Sequence, residues 1–347
     1  MGAFSGAAFA QSNVTLYGIL DVNYQRNDPN GPQAATSGIN SGHQSGNRWG
    51  LRGSEALGGG MNAIFAVEQG FALDTAQASS TRAWHRQAWA GLEFTGAKMS
   101  LVAGRLALLS SGTGSFDMFG AVDPFLTGFG DSALASTFSW SAANRADNTV
   151  AIVGGPWAGF KAGATYSFNT DGGENAGSSN NNRATGFAAQ YSAGMFFIAA
   201  AHNQVKLNET TFPGAPTQKA SQVGGSVDFK FAKLHAAYAT EDNIRVMGTA
   251  NSGTVGRDAD AWMVGLTVPL FGGSLLASYQ DRDADPVAGE TNADGPDLTV
   301  WALGYSYPLS RRTNLYLNFS NRDGSGSNTN HETWDRKQYT AGVRHLF

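Results

Sequence analysis

Cysteine and long apolar runs are both absent from this sequence of 347 residues. Without cysteine, the fold relies on neither disulfide bonds nor thiolate metal sites. No apolar stretch approaches the roughly 18 residues that a transmembrane helix requires, and the longest, such as Met195–Ala201, have the length of a strand. Charged residues make up only 14% of the chain and the formal net charge is −4, which gives no reason to expect nucleic acid as a partner. A soluble all-β protein and a transmembrane β-barrel both remain open.

Motifs for catalysis or cofactor binding are also lacking. The six histidines are scattered without metal-ligand spacing, at His43, His85, His202, His235, His331 and His345. The sequence contains neither the G-x-S-x-G turn of a serine hydrolase nor a glycine-rich phosphate loop. We therefore expect no enzyme, no cofactor and no metal site.

The first residues look like the end of a signal peptide. Ala8-Phe9-Ala10 is a small-x-small cleavage pattern that follows a mildly apolar stretch, although a charged segment before it is missing. We interpret residues 1–10 as a residual signal-peptide stub and residues 11–347 as the mature domain. A cloning leader is the alternative.

What the sequence does contain is a repeated alternation of apolar and polar residues. Phe160–Phe168 places apolar side chains at every second position, and the segments that begin at Gln222 and Asn314 do the same. Because successive side chains of a strand point to opposite faces, each segment has one apolar and one polar face. Alternation alone fits a soluble antiparallel sheet as well as a barrel.

The connections between these segments alternate in length. Short turns are predicted at Leu57–Gly60, Thr95–Lys98, Gly155–Gly159, Ser192–Gly194, Ala232–Lys233, Phe271–Gly273 and Ser310–Thr313. Long polar loops are predicted at Asn27–Gly46, Thr75–Arg82, Leu106–Thr137, Thr170–Arg183, Asn208–Gln218, Asn243–Arg257, Asp285–Asp297 and Asp323–Arg336. Short turns on one rim and long loops on the other are typical of outer-membrane barrels. The pattern predicts about sixteen antiparallel strands with both termini on the short-turn rim.

The last strand is expected to close the barrel. It ends on Phe347, which we interpret as an assembly signature, and it must pair with the first strand, Val14–Arg26, so that no backbone edge faces lipid. Aromatic residues near strand ends are expected to form interfacial girdles; they are Tyr17, Tyr24, Tyr191, Tyr279, Tyr305 and Tyr307.

The segment 106–137 is the longest one without clear alternation. A loop of this length inside a compact domain is usually functional or disordered. Pro124 and four phenylalanines suit an ordered loop that packs against a wall. An ordinary surface loop is the alternative.

Taken together, these segments resemble the trimeric general diffusion porins of Gram-negative bacteria, in particular their β-proteobacterial branch. The resemblance covers nearly the whole mature chain. Its motifs are Val14–Gly18, Arg48–Glu55 followed by Leu57–Gly60, Arg86–Leu92, Gly104-Arg105, Phe116-Asp117, Asp123–Phe125, Phe129–Asp131 and Gly342–Phe347.

The resemblance implies a sixteen-stranded antiparallel transmembrane β-barrel in which residues 106–137 fold inward as a constriction loop. It also implies a homotrimer in the outer membrane, in contact with lipid and lipopolysaccharide. Ions and small hydrophilic solutes would be the diffusing partners.

Arginines are expected on the wall opposite such a loop. Trp49 and Leu51 point toward lipid in the predicted second strand, so Arg48 and Arg52 face the lumen. Arg48 also matches a wall arginine of the resembled family.

Three more arginines are candidates for the constriction. Arg86 matches another wall arginine of the family, but alternation from Ala88 would aim it outward, so a bulge or twist must turn it in. Arg145 and Arg105 are candidates as well, and Arg344 is a further potential lumenal residue.

Negative charge is expected from the loop and from one wall residue. Asp117, Asp123 and Asp131 would supply it across the narrowing, and Glu68 lies on the polar face of its strand. Fixed charges at a constriction select ions by lowering the barrier for one sign.

The favoured function is passive diffusion, and the excess of arginine predicts anion preference. A substrate-specific channel for sugars or carboxylic acids is the alternative, since Trp89 and Tyr316 face inward by alternation. A barrel enzyme with a filled lumen is a third class.

Overall fold

The computed structural model describes residues 13–29, 33–126, 128–138, 145–245, 255–285, 297–325 and 335–347. The predicted signal-peptide stub, residues 1–10, and the predicted mature start at Gln11 lie outside them. The strands are β1 Asn13–Pro29, β2 Thr36–Ser41, β3 Arg48–Gly58, β4 Met61–Gly70, β5 Gln87–Phe94, β6 Met99–Ala107, β7 Arg145–Trp157, β8 Phe160–Ser167, β9 Arg183–Ala193, β10 Phe196–Lys206, β11 Gln218–Asp228, β12 Lys233–Arg245, β13 Val255–Leu270, β14 Gly273–Ala284, β15 Asp297–Pro308, β16 Thr313–Ser325 and β17 Arg336–Leu346.

The strands form one closed antiparallel sheet. From β3 to β17 each strand pairs with the next along the chain, and β17 pairs with β1 through residues Ile19–Pro29 of β1. The other edge of β1 pairs with β3 in its first part and with β2 in its second part. Because β2 and β3 share one position, the closed barrel has sixteen strand positions, as the sequence predicts. The predicted loop Asn27–Gly46 was wrong in one respect, because it contains β2.

The two rims differ in the length of their connections. The hairpins that follow β3, β5, β7, β9, β11, β13 and β15 have connections of two to four residues. The connections between β4 and β5, and between later pairs on the same rim, run from nine to thirty-seven residues. This confirms the predicted alternation of turns and loops.

Alternation of side chains explains why the sheet closes. In β9, Phe187 and Tyr191 are exposed on the outer face, whereas Ala184 and Ala188 are buried on the inner face. The same contrast recurs around the barrel, so the outer surface carries an apolar belt suited to lipid. Within the described residues, no helix is long and apolar enough to cross a membrane.

Phe347 completes the closure between β17 and β1. Its backbone exchanges two hydrogen bonds with Gly18, both of 3.1 Å. Its ring lies over Gly18 on the outer face, where any Cβ at Gly18 would collide with the ring. Glycine is therefore required at this crossing.

Candidate functional site

Glu68 lies at the centre of a group of arginines on the inner wall. Alternation in β4 turns its side chain inward, where it is buried. Nε of Arg86 lies 2.6 Å from Glu68 Oε1, and Nη1 of Arg48 lies 3.8 Å from the same oxygen. The hydroxyl of Tyr17 donates to Glu68 Oε2 at 3.1 Å. The structure therefore brings together three of the residues that the sequence analysis placed in the lumen. Tyr17, which was predicted to belong to an interfacial girdle, instead faces inward.

Arg86, for which we expected a bulge or twist at the start of its strand, reaches Glu68 from the position just before the strand. Strand β5 begins one residue later, at Gln87, so the alternation of the strand does not constrain Arg86. Its backbone N–H donates to Glu68 O at 3.2 Å, which anchors the approach to the strand. The side chain is consequently directed to the inner wall.

Arg105, by contrast, lies at a bulge. The register between β6 and β7 shifts between Gly104 and Leu106, and such an irregularity re-aims a side chain. Arg105 Nη1 lies 2.5 Å from Asp147 Oδ1. Arg82, from the long connection before β5, lies 2.6 Å from the other oxygen of Asp147. The sequence analysis missed Arg82 and Asp147, because neither follows a motif and their proximity depends on the fold.

Arg145 joins the two ion-pair groups. It is the first residue of β7, and its Nε donates to the backbone carbonyl of Arg86. Its Nη2 lies 3.4 Å from Thr113 Oγ1 in the segment that follows β6. Arg145 therefore extends from the arginine-bearing wall to that segment.

The charges of this group do not balance. Two carboxylates, Glu68 and Asp147, are shared among the guanidinium groups. Those guanidinium groups belong to Arg48, Arg82, Arg86 and Arg105, and Arg145 lies beside them through its hydrogen bond to the backbone carbonyl of Arg86. Among the residues that the structure describes, the four arginines in these ion pairs outnumber the two carboxylates by two positive charges on this part of the wall.

The segment after β6, residues 108–138, lies against the inner face of the opposite wall. Asn203 Nδ2 donates to Ser110 Oγ at 2.8 Å, and Gln280 Nε2 donates to Ser132 O at 2.8 Å. His235 Nδ1 lies 2.8 Å from Val122 O. All three wall side chains are buried and alternate with more exposed outward ones, so the contacts are on the lumenal side. We call residues 108–138 the inner loop.

Apolar contacts hold the inner loop to the same wall. Phe119, Val122, Leu134 and Phe138 are buried in one cluster with Ala199, Ala237, Ala239, Ala261 and Met263. Small wall residues leave room for the large loop side chains. Burial of this kind stabilises by roughly 1.5–3 kcal/mol for each large side chain, which explains an ordered loop without regular structure.

Two of the three predicted loop carboxylates shape the loop itself. Asp123 is completely buried, and its oxygens accept the backbone N–H groups of Phe125 and Leu134 at 2.8 Å. Asp117 accepts the backbone N–H groups of Gly112, Phe119 and Gly120. The prediction that Asp123 lends charge to the lumen is therefore wrong. For Asp117, burial raises the pKa above its usual range, although the three N–H groups oppose this.

Asp131 binds the wall through two arginines that the sequence analysis did not identify. Arg336 Nε and Arg322 Nη1 lie 2.5 and 3.3 Å from its carboxylate. Burial alone would raise the pKa of Asp131, but the hydrogen bonds and charges of Arg336 and Arg322 hold it below its usual range. The carboxylate is buried, so its charge is neutralised at the wall and does not face the open lumen.

Arg52 differs from the other wall arginines. It is exposed on the inner face of β3, and its guanidinium lies 5.3 Å from the centre of the Tyr17 ring. Among the residues that the structure describes, no carboxylate lies within ion-pair distance of it. The predicted orientation of Arg52 is consistent with its place in a cavity on the inner wall.

The two inward aromatics do not form a continuous track. Trp89 packs against Phe116 of the inner loop, with ring centres 5.1 Å apart. Tyr316 is buried beneath Phe129, and its hydroxyl donates to Asp21 at 2.6 Å. Within the described part of the chain, no group of three or more His, Asp or Glu residues could hold a metal ion.

The sequence matches one family profile, described as Gram-negative porin, over residues 1–327. An outer membrane porin protein of Bordetella pertussis is 33% identical, with 91% of this chain and 90% of that protein covered. Outer membrane porin protein 32 of Delftia acidovorans is 30% identical, with 93% and 88% covered.

Solved structures share the fold. An anion-selective porin from Comamonas acidovorans superposes with a TM-score of 0.75 at 22% identity, covering 97% of this chain and all of that one. The trimer form of OmpT from Vibrio cholerae gives a TM-score of 0.63 at 17% identity, covering 97% and 99%.

Proposed function

We propose that this chain, which belongs to the Gram-negative porin family, is a general diffusion channel of the outer membrane with a preference for anions. Outer-membrane location and passive passage of ions and small hydrophilic solutes follow from the family, whose members are channels. The finer assignments are our own: anion preference, the constriction, the trimer and the lack of catalytic activity.

The surplus of positive charge on the wall carries the proposal. Four arginines share two carboxylates across β3 to β7 and the connection before β5, and Arg145 lies beside them. The carboxylates of the inner loop do not offset this surplus, since Asp123 serves the loop backbone and Asp131 is paired with Arg322 and Arg336. Among the described residues at this level of the lumen, arginines therefore outnumber carboxylates, which supports the proposed preference for anions.

The size of the field is sufficient for selectivity. One uncompensated charge about 8 Å from a passing ion changes its energy by about 2 kcal/mol at an effective dielectric near 20. That energy corresponds to a partition ratio of roughly 30. Salt screens charges beyond about 10 Å at 0.1 M, so the preference should weaken as salt rises.

In this proposal, residues 106–137 are the constriction of the channel. The inner loop occupies the lumenal side of one wall, and Thr113 reaches Arg145 on the other. The passage that remains lies beside the arginines, so that a passing ion is brought close to their charges.

The selectivity is tested by reversal potentials in planar bilayers under a tenfold KCl gradient. We expect chloride preference in the native chain, and a several-fold drop of the chloride-to-potassium permeability ratio in the double variant R86Q/R145Q. Arg48 stays with Glu68 in this variant, so the carboxylate keeps a partner.

The matched control is R183Q. Arg183 pairs with Glu174 at the long-loop rim, far along the chain from the group, and its loss should leave the ratio unchanged. A potassium-selective native channel, or a double variant with the native ratio, would overturn the proposal of anion preference.

We further propose a homotrimer whose subunits meet through apolar outer faces. Val14 and Leu16 are more than half exposed on the outer face of β1, as a subunit contact requires. One structural relative is described as a trimer form. The mass of the detergent-solubilised particle tests the assembly, and lipopolysaccharide contact at the long-loop rim is part of the same proposal.

A further inference from the structure

A cavity of about 530 Å³ opens on the inner wall between the tip of the inner loop and the short-turn rim. Its volume falls in the range of roughly 300–1,000 Å³ that is usual for small-molecule sites. Tyr17, Arg52, Ile64, Ala66, Trp89 and Phe116 line it. Arg48 and Glu68 of the arginine group line it as well, so cationic, apolar and aromatic groups converge on one space beside the ion-pair group.

The register of the sheet sets the spacing of these groups. Arg52 lies opposite Ala66 on β4, and Ala66 lies opposite Trp89 on β5. Neighbouring strands are about 4.8 Å apart, so the backbones of Arg52 and Trp89 are separated by about 10 Å. Ala66 lies between them at this level and is 3% exposed, in a cluster with Trp89 against which Phe116 packs. A cation and an aromatic side chain therefore stand at the two ends of a span of small-molecule length.

Arg52 supplies a charge that no described carboxylate neutralises. Its guanidinium lies over the Tyr17 ring, 5.3 Å from the ring centre, which orients the group while leaving its N–H edge for another partner. A guanidinium binds a carboxylate through two parallel hydrogen bonds. This end of the cavity suits a carboxylate.

The other end of the cavity is apolar. The rings of Trp89 and Phe116 are 5.1 Å apart and inclined at 48°. The indole N–H of Trp89 donates to Gln87 Oε1 at 3.2 Å, so its polar atom is satisfied within the protein, and the 9% of Trp89 that is exposed contributes to the cavity wall beside Phe116. Ile64 and Ala66 complete the apolar floor.

We propose that this cavity binds small monocarboxylates with a flat apolar body, of the class of benzoate. The carboxylate contacts Arg52 and the ring packs against Trp89 and Phe116. A second carboxylate is disfavoured, because Glu93 lies at the short-turn end of the cavity. The inference rests on the proposed function only in that the ligand enters through the channel.

Single-channel conductance with benzoate on the short-turn side tests the site. We expect a saturable decrease of conductance with benzoate. Acetate, which has the charge without the ring, and benzyl alcohol, which has the ring without the charge, should produce no saturable decrease. If benzoate and acetate act alike, the site does not exist.

Two variants locate the effect. R52Q should raise the half-blocking concentration of benzoate at least tenfold, because the guanidinium contact is lost. A66L should abolish the block, because Ala66 is already packed with Trp89 and Phe116 and a larger side chain there displaces the apolar surface that contacts the benzoate ring. The matched control is R312Q, which removes an arginine from an exposed short turn. Benzoate should block this variant as it blocks the native channel.

The outcomes separate this inference from the proposed function. Chloride-selective reversal without benzoate block removes the site and leaves the anion-preferring channel intact. Potassium-selective reversal removes the anion preference, whatever benzoate does. If A66L fails to fold, R52Q and the comparison of benzoate, acetate and benzyl alcohol still test the site. If benzoate blocks R52Q at the same half-blocking concentration as the native channel, the proposed site is wrong.

Discussion

Arg86 and Arg105 reach the same wall by different backbone routes. Arg86 precedes its strand, and Arg105 sits where the register between two strands shifts. In both cases the side chain departs from the face that strict alternation assigns to it. Single residues at strand ends and bulges therefore decide which charges the lumen receives.

Asp131 joins the inner loop to the wall through two ion pairs, with Arg322 and Arg336. D131N should weaken docking by on the order of 3 kcal/mol, because it leaves Arg322 and Arg336 close together without their shared anion. We expect noisier single-channel currents at neutral pH. The control is D74N, which changes an exposed aspartate of the connection before β5. Its single-channel currents should be no noisier than those of the native channel.

The same carboxylate predicts the pH dependence. Since the pKa of Asp131 is held below its usual range, its charged form stabilises docking at every pH above about 4. That stabilisation is lost as the pH falls through the lowered pKa. Current noise in the native channel should stay constant from neutral pH to about 4 and rise in stronger acid. A rise that begins near pH 6 would contradict this account.

At the scale of elements, the inner loop packs against three strands at positions where glycine leaves room for it. A Cβ at Gly224 would lie 2.5 Å from Val122, one at Gly265 would lie 2.7 Å from Pro124, and one at Gly304 would lie 2.8 Å from Phe125. These glycines face inward on β11, β13 and β15. The loop and three strands are therefore complementary in shape.

G265V tests this complementarity. The added side chain occupies the place of the Pro124 ring, so the loop should move from the wall toward the lumen and the single-channel conductance should fall. G38V is the matched control, since a Cβ at Gly38 meets nothing within 4 Å. Native conductance in G265V would show that the loop does not depend on this contact.

At the scale of the whole molecule, the pairing of the first strand with the last closes the sheet into a barrel. Strand β1 pairs on both sides, with β17 on one and with β2 and β3 on the other. Pairing of strand edges matters more in lipid than in water, because each unpaired backbone group in lipid costs several kcal/mol. The sixteen-position barrel is thus the unit of stability.

Phe347 contributes to that closure through its ring. F347A should lower the free energy of unfolding by about 1–2 kcal/mol, less than a core phenylalanine because the ring is 41% exposed. The temperature at which the barrel unfolds in detergent, read by electrophoretic mobility, measures the loss. F271A removes a phenylalanine that is 85% exposed on a short turn and should behave as the native chain.

Local pattern was sufficient for the architecture. Alternation with a period of two and the unequal rims predicted the sixteen positions and the closing strand, because both signals depend only on neighbours along the chain. The same alternation correctly oriented Arg48 and Glu68, which lie inside regular strands.

The composition of the site was decided by the tertiary structure. Asp147 meets Arg82 and Arg105, and Asp131 meets Arg322 and Arg336, across separations that no sequence pattern encodes. The sequence identified the loop carboxylates by their charge, but it could not determine whether each one faces the lumen. Burial and hydrogen bonding set the charge of the lumen, and both arise only when the inner loop docks on the closed barrel.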